Sequence, residues 1–103
     1  MKLLLTSFLI IPLFLFGQTS QTEEDFKSAA SLEEKGKFKK ALKIYSKIIS
    51  KNPSNGVAYF KRAALKNKIG EDFCNDLKTA CKLESVEQKS ACENHEMYCE
   101  EKN

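Results

Sequence analysis

Residues 36–53, GKFKKALKIYSKIISKNP, decide the fold. Gly36 closes one helix, Phe38 follows it closely, and an amphipathic run leads to Asn52 and Pro53. Phe38, Ala41, Leu42, Tyr45, Ile48 and Ile49 recur at intervals of three and four, so a helix carries them on one face. Lys39, Lys40, Lys43, Lys47 and Lys51 take the other face. Pro53 lacks a backbone donor and restricts the residue before it, which predicts a helix stop near Lys51.

Upstream of this stretch, residues 1–17 read as a secretory signal peptide. Lys2 supplies the positive charge, and residues 3–16 form a 14-residue apolar run interrupted only by Thr6, Ser7 and Pro12. That length suits a signal core and falls short of the roughly 20 residues a membrane-spanning helix needs, which disfavours the rival reading of an uncleaved anchor. Cleavage is expected after Gly17, where the chain turns polar, and the absence of a cysteine there excludes a lipid anchor. Thr22 is the expected N-cap of the first helix, with Glu23, Glu24 and Asp25 suited to the positive end of its dipole. Phe26, Ala29, Ala30 and Leu32 give this helix its apolar face, and Gly36 is free to adopt the left-handed conformation that ends helices.

Downstream, residues 52–56 (NPSNG) make a turn. Val57, Tyr59, Phe60, Ala63, Ala64 and Leu65 open a third helix that ends at Ile69 and Gly70. A fourth is expected over residues 72–83, with Phe73, Leu77, Ala80 and two cysteines on its apolar side, and a fifth over residues 89–101.

Gly36 and Gly70 lie 34 residues apart, as do Ala29 and Ala63. Counted from Thr22, a small residue falls at Ala29, a large one at Leu32, then come Gly36, Phe38, Ala41, Tyr45 and Pro53, with Tyr59, Ala63 and Gly70 echoing them. In period and in these residues the chain resembles the tetratricopeptide-repeat family over residues 22–83. The second unit departs from the family: about two residues are missing between Gly70 and the helix FCNDLKTACKL, and no alanine matches Ala41. The resemblance implies an all-α fragment of an α-solenoid with five helices. Residues 22–55 form one hairpin, residues 56–83 a degenerate second, and residues 84–103 a capping helix. Two repeats are fewer than the three or so that bury a continuous core, so the end of the chain must complete it.

Cys74, Cys81, Cys92 and Cys99 fall in two pairs with six residues between the members of each. Seven residues are two helical turns within about 20°, so each pair shares a helical face. Bridging within a pair would span about 10.5 Å, beyond the roughly 7 Å limit between bridged Cα atoms. The numbers of Cys74 and Cys99 add to 173, as do those of Cys81 and Cys92, so both bridges can close together across an antiparallel hairpin turning near Val86 and Glu87. Pairing Cys74 with Cys92 and Cys81 with Cys99 would need parallel helices across a very short connection. The expected bridges are therefore Cys74–Cys99 and Cys81–Cys92, which persist in an oxidising compartment. Cys92, His95 and Cys99 share part of a face that would suit a metal, but export favours bridging, and the only histidine reads more simply as a surface side chain. This end of the chain is also similar to the terminal segment of small exported repeat proteins of Bacteroidetes-type bacteria, on Cys74, Asp76, Ala80 and Cys81, then Ala91 with Cys92 and Tyr98 with Cys99.

Residues 23–68 hold twelve Lys or Arg against five acids, a net of +7, whereas residues 71–103 hold four against nine, a net of −5. The lysines are spaced around helices, as on solvated faces, and lack the aromatic interleaving of a nucleic-acid site. With a lone histidine, isolated glycines and no paired nucleophile and base, the chain is expected to be neither an enzyme nor a cofactor carrier.

The resemblance then implies a protein or peptide partner, bound in a concave groove outside the cytoplasm. Its groove positions carry over to Glu23, Phe26, Ala30, Glu33 and Glu34 in the first unit, and to Val57, Phe60, Ala64, Asn67 and Lys68 in the second. The family's carboxylate clamp would need Lys and Asn where Phe26 and Ala30 stand. Phe26 and Phe60 suit apolar contact with a partner, and equally suit the core. A secreted, disulfide-stapled effector or inhibitor acting through the charged outer face is the alternative function.

Overall fold

The computed structural model describes residues 20–100, and the signal-peptide reading of residues 1–17 lies outside them. Those residues form an all-α fold of five helices: α1 Gln21–Glu34, α2 Phe38–Lys51, α3 Gly56–Lys68, α4 Cys74–Lys82 and α5 Gln88–Cys99. Each packs on its neighbours in sequence, with a further contact between α3 and α5.

Local chemistry sets the ends. The N-cap of α1 is Ser20, whose hydroxyl accepts from the Glu23 amide at 3.2 Å, so Thr22 lies inside the helix and not at its start. The S-x-x-E signature of residues 20–23 carries that signal in the sequence. Asn55 caps α3 in the same way, accepting from the Ala58 amide at 3.1 Å. Helices α1 and α3 end alike. Gly36 and Gly70 take φ of 74° and 77°, and each helix closes with paired backbone bonds: Lys37 and Gly36 donate to Leu32 and Glu33, Glu71 and Gly70 to Lys66 and Asn67. Helix α2 ends at Lys51, two residues before Pro53.

The second hairpin corrects the expected deletion. Five residues, 69–73, connect α3 to α4, against three, 35–37, between α1 and α2. The shortening falls instead on α4, with nine residues to the fourteen of α2. Its start is delayed past Asp72, whose carboxylate accepts from the Cys74 amide at 3.0 Å in a local turn, and Leu83 is already extended. Gln88, expected in the break, opens α5 and donates through its side chain to the Cys81 carbonyl at 3.1 Å.

Two buried clusters meet at α3. Ala29, Ala41, Tyr45, Ile48, Ala58 and Leu65 join α1, α2 and α3; Ala63, Leu77, Ala80 and Ala91 join α3, α4 and α5. Alanine at these crossings lets backbones approach closely, and Tyr45, Ile48 and Leu65 supply the bulk. Ile44, which the face pattern of α2 leaves out, also packs on the first cluster. Ala30 and Ala64, assigned to apolar faces, are both exposed.

The cap is covalently closed. Cys74–Cys99 joins the start of α4 to the end of α5 with Cα atoms 5.8 Å apart, and Cys81–Cys92 sits inside it at 4.6 Å. Two bridges fit an oxidising environment outside the cytoplasm. Among the described residues no helix is long and apolar enough to cross a membrane.

Candidate functional site: a cleft between the third helix and the cap

One stripe of α3 carries side chains that are not fully buried. Phe60, Ala64, Asn67 and Lys68 follow one another at helical spacing, and the expected groove positions of the second unit supply all four. They form one wall of a cleft of about 280 Å³. Ala63, Phe73 and Leu77 make its floor, and Asn94 and Tyr98 of α5 stand at the far side.

The site is thus shifted toward the cap. Val57 is half-buried and does not line the cleft, and neither do Glu23, Phe26, Ala30, Glu33 and Glu34 of α1. Glu33 is engaged elsewhere, its carboxylate accepting from the Tyr45 hydroxyl at 2.5 Å. Phe26 packs on the first buried cluster, with its ring centroid 6.2 Å from that of Tyr45, and Phe60 packs on the second. Both rings remain part-exposed, so each serves the core and still presents an edge outward. Phe73, Leu77, Asn94 and Tyr98 were not marked by the sequence as binding residues. Asn94 and Tyr98 take their places from how α5 seats against α4, to which two bridges tie it.

The floor and walls are mostly apolar, and the polar groups at the mouth are the Lys68 ammonium, the amides of Asn67 and Asn94 and the Tyr98 hydroxyl. No carboxylate lines it. Such an opening suits an apolar side chain flanked by hydrogen-bond acceptors. Tyr98 and its neighbour Met97 are exposed at 54% and 58%.

Rigid ionic contacts hold the α3 wall in place. Arg62 reaches Asp76 on α4 through Nε and Nη2, and Ser46 on α2 through Nη1 at 3.2 Å, while Lys66 lies 3.0 Å from the same aspartate. Burial raises the Asp76 carboxyl, but the Arg62 and Lys66 hydrogen bonds outweigh it and its pKa lies below the ordinary value. Asp25, expected only to complement the α1 dipole, is likewise buried, bonded by Gln21 at 3.0 Å and facing Lys47 at 3.5 Å. The Gln21 hydrogen bond first, and then Lys47, hold its pKa low despite burial.

All four cysteines are bridged, so Cys92 and Cys99 are not metal ligands with His95. Among the described residues no group of three His, Cys, Asp or Glu side chains is arranged to hold a metal. His95, read as a surface residue, is half-buried, with Nδ1 3.6 Å from Glu100.

Compared with protein-family models, with curated proteins and with solved structures, the chain matches none.

Proposed function

We propose that this chain is an exported, two-repeat module of the tetratricopeptide type, which binds a protein or peptide segment and carries out no chemistry of its own. The observation that carries the proposal is the apolar cleft whose α3 wall consists of Phe60, Ala64, Asn67 and Lys68. Support for the repeat comes from exposure as well as letters. At a separation of 34 residues, Ala29 and Ala63 are buried, Phe26 and Phe60 half-buried, Ala30 and Ala64 exposed, and Gly36 and Gly70 left-handed. The nested bridges close the edge that a short repeat array leaves open.

Titrating the oxidised protein with a panel of synthetic peptides, followed by NMR of the aromatic side chains, tests this. Binding should move the Phe60 and Tyr98 signals and be lost in Ala64→Arg. A panel that leaves both rings unmoved removes the proposal.

One observation favours the alternative of an effector acting through its charged outer face: Lys39, Lys43 and Lys47 on α2 are all exposed. Substituting Lys43, which lines neither depression and pairs with no acid among the described residues, separates the two readings. Loss of biological activity with intact peptide binding selects the effector.

A further inference from the structure

A second hollow, of about 410 Å³, lies at the turn between α1 and α2 and the end of α3. Its lining is Gly36, Lys37, Phe38, Lys39, Lys40 and Ile69, an apolar floor rimmed by three lysines. The two depressions meet at one contact: the Lys68 ammonium, from the cleft, lies 5.8 Å over the Phe38 ring, from the hollow. Four cations therefore border a strip made up of the two depressions, each with apolar residues in its lining.

Apart from the contact of Lys68 with the Phe38 ring, those cations have no charged partner among the described residues. Arg62, Lys66 and Lys47 are each drawn to a buried aspartate, but Lys37, Lys39, Lys40 and Lys68 enter no ion pair among the described residues. Lys68 lies in the last turn of α3, where it complements the dipole, but helix stability does not explain the other three. Lys37 is the N-cap of α2, and Lys39 and Lys40 lie in its first turn, where positive charge opposes the helix dipole and no acid offsets it.

Resting on the binding role proposed above, we infer that the cleft and the lysine-rimmed hollow form one receptor for an acidic internal segment of a partner protein. An aromatic or branched aliphatic side chain of that segment enters the cleft, and its carboxylates lie over Lys37, Lys39, Lys40 and Lys68. Charge complementarity selects the acidic class, and the recessed apolar floors select a peptide over a flat anionic surface.

The test uses the oxidised protein and three fluorescent peptides: a phenylalanine flanked on both sides by aspartate and glutamate, its twin with lysine for every acid, and the acidic peptide with glycine for phenylalanine. Anisotropy gives affinity, and NMR of Phe60, Tyr98 and Phe38 gives location. The acidic peptide should move all three rings and weaken with added salt. Replacing its anchor, or making Lys39→Glu, Lys40→Glu and Lys68→Glu together, should weaken it about tenfold or more. Lys43→Glu, away from both depressions, should change affinity by less than about twofold. Lys→Gln at the same three positions serves if charge reversal perturbs folding.

Equal binding of the lysine twin, or acidic binding that survives both sets of variants, overturns the inference. So does attachment to anionic phospholipid vesicles with the acidic peptide silent, or a dimer whose own acidic half fills the strip. If a basic or neutral peptide moves Phe60 and Tyr98 while the acidic one does not, only this inference falls. If no peptide moves them, the binding role falls with it.

Discussion

Arg62 on α3 and Asp76 on α4 meet through two parallel hydrogen bonds, Nε and Nη2 each 2.8 Å from a carboxylate oxygen. The fork matches the carboxylate in geometry, which a lysine cannot do. The same guanidinium also bonds Ser46, so one side chain locks the first hairpin to the second. Arg62→Met leaves Asp76 paired with Lys66 alone, and a loss of about 1.5–3 kcal/mol is expected in urea denaturation. Replacing both partners, as Arg62→Met with Asp76→Leu, should recover most of that loss.

The same pair contributes to the acid limb of the stability curve, as does Asp25. Asp76 has a folded-state pKa below its ordinary 3.8, so its contribution is complete above that value and declines as pH falls through the folded one. In Asp76→Asn the protein should be less stable at neutral pH, and its stability should change less steeply below about pH 4. Denaturation midpoints measured across that range check both.

Tyr45 governs the alkaline limb. Burial, and then its hydrogen bond to Glu33, raise the phenol well above its ordinary 10. A raised folded-state value gives stability that is fully present below about pH 10 and lost as pH climbs beyond it. Tyr45→Phe should cost about 0.5–1.5 kcal/mol at neutral pH and flatten the decline on the alkaline side. Thermal melts at neutral and alkaline pH are the measurement.

Gly36 and Gly70 have open space where a Cβ would go, so their left-handed φ alone opposes substitution. Gly36→Ala and Gly70→Ala should each cost about 1–2 kcal/mol without local rearrangement. Gly56 is the converse: an added Cβ would lie 3.0 Å from Ser85 Oγ and 3.2 Å from Leu83 Cβ. Gly56→Ala should shift amide NMR signals in the α4–α5 connection, whereas the other two should leave them unmoved.

Removing the outer bridge by Cys74→Ser with Cys99→Ser leaves Cys81–Cys92 closed and releases the flanking chain, at a cost of about 3 kcal/mol in the chain-entropy account. Hydrogen exchange should then accelerate first in α4 and α5, ahead of α1 and α2.

What the sequence made legible was mostly local. Gly36, Gly70 and Pro53 mark helix ends because their backbones permit or forbid particular angles, whatever surrounds them. The seven-residue spacing of the cysteines was equally readable, because it follows from helix pitch. Features that depend on two helices meeting were harder to read. Asp25 and Asp76 look like solvated acids until Lys47 and Arg62 arrive from other helices. The cleft moved toward α5 because Asn94 and Tyr98 gain their position only when the cap docks, and no periodicity within α5 announces it. Ser20 is the exception: its signature is present in the letters, with Thr22 as a competing hydroxyl two residues on.

The outer bridge ties Cys74, next to Phe73, to Cys99, next to Tyr98, and both neighbours face the cleft. Under the binding role proposed above, oxidation would set those two rings together on one side of the opening, so closing the sulfur bridge and shaping the jaw become a single event.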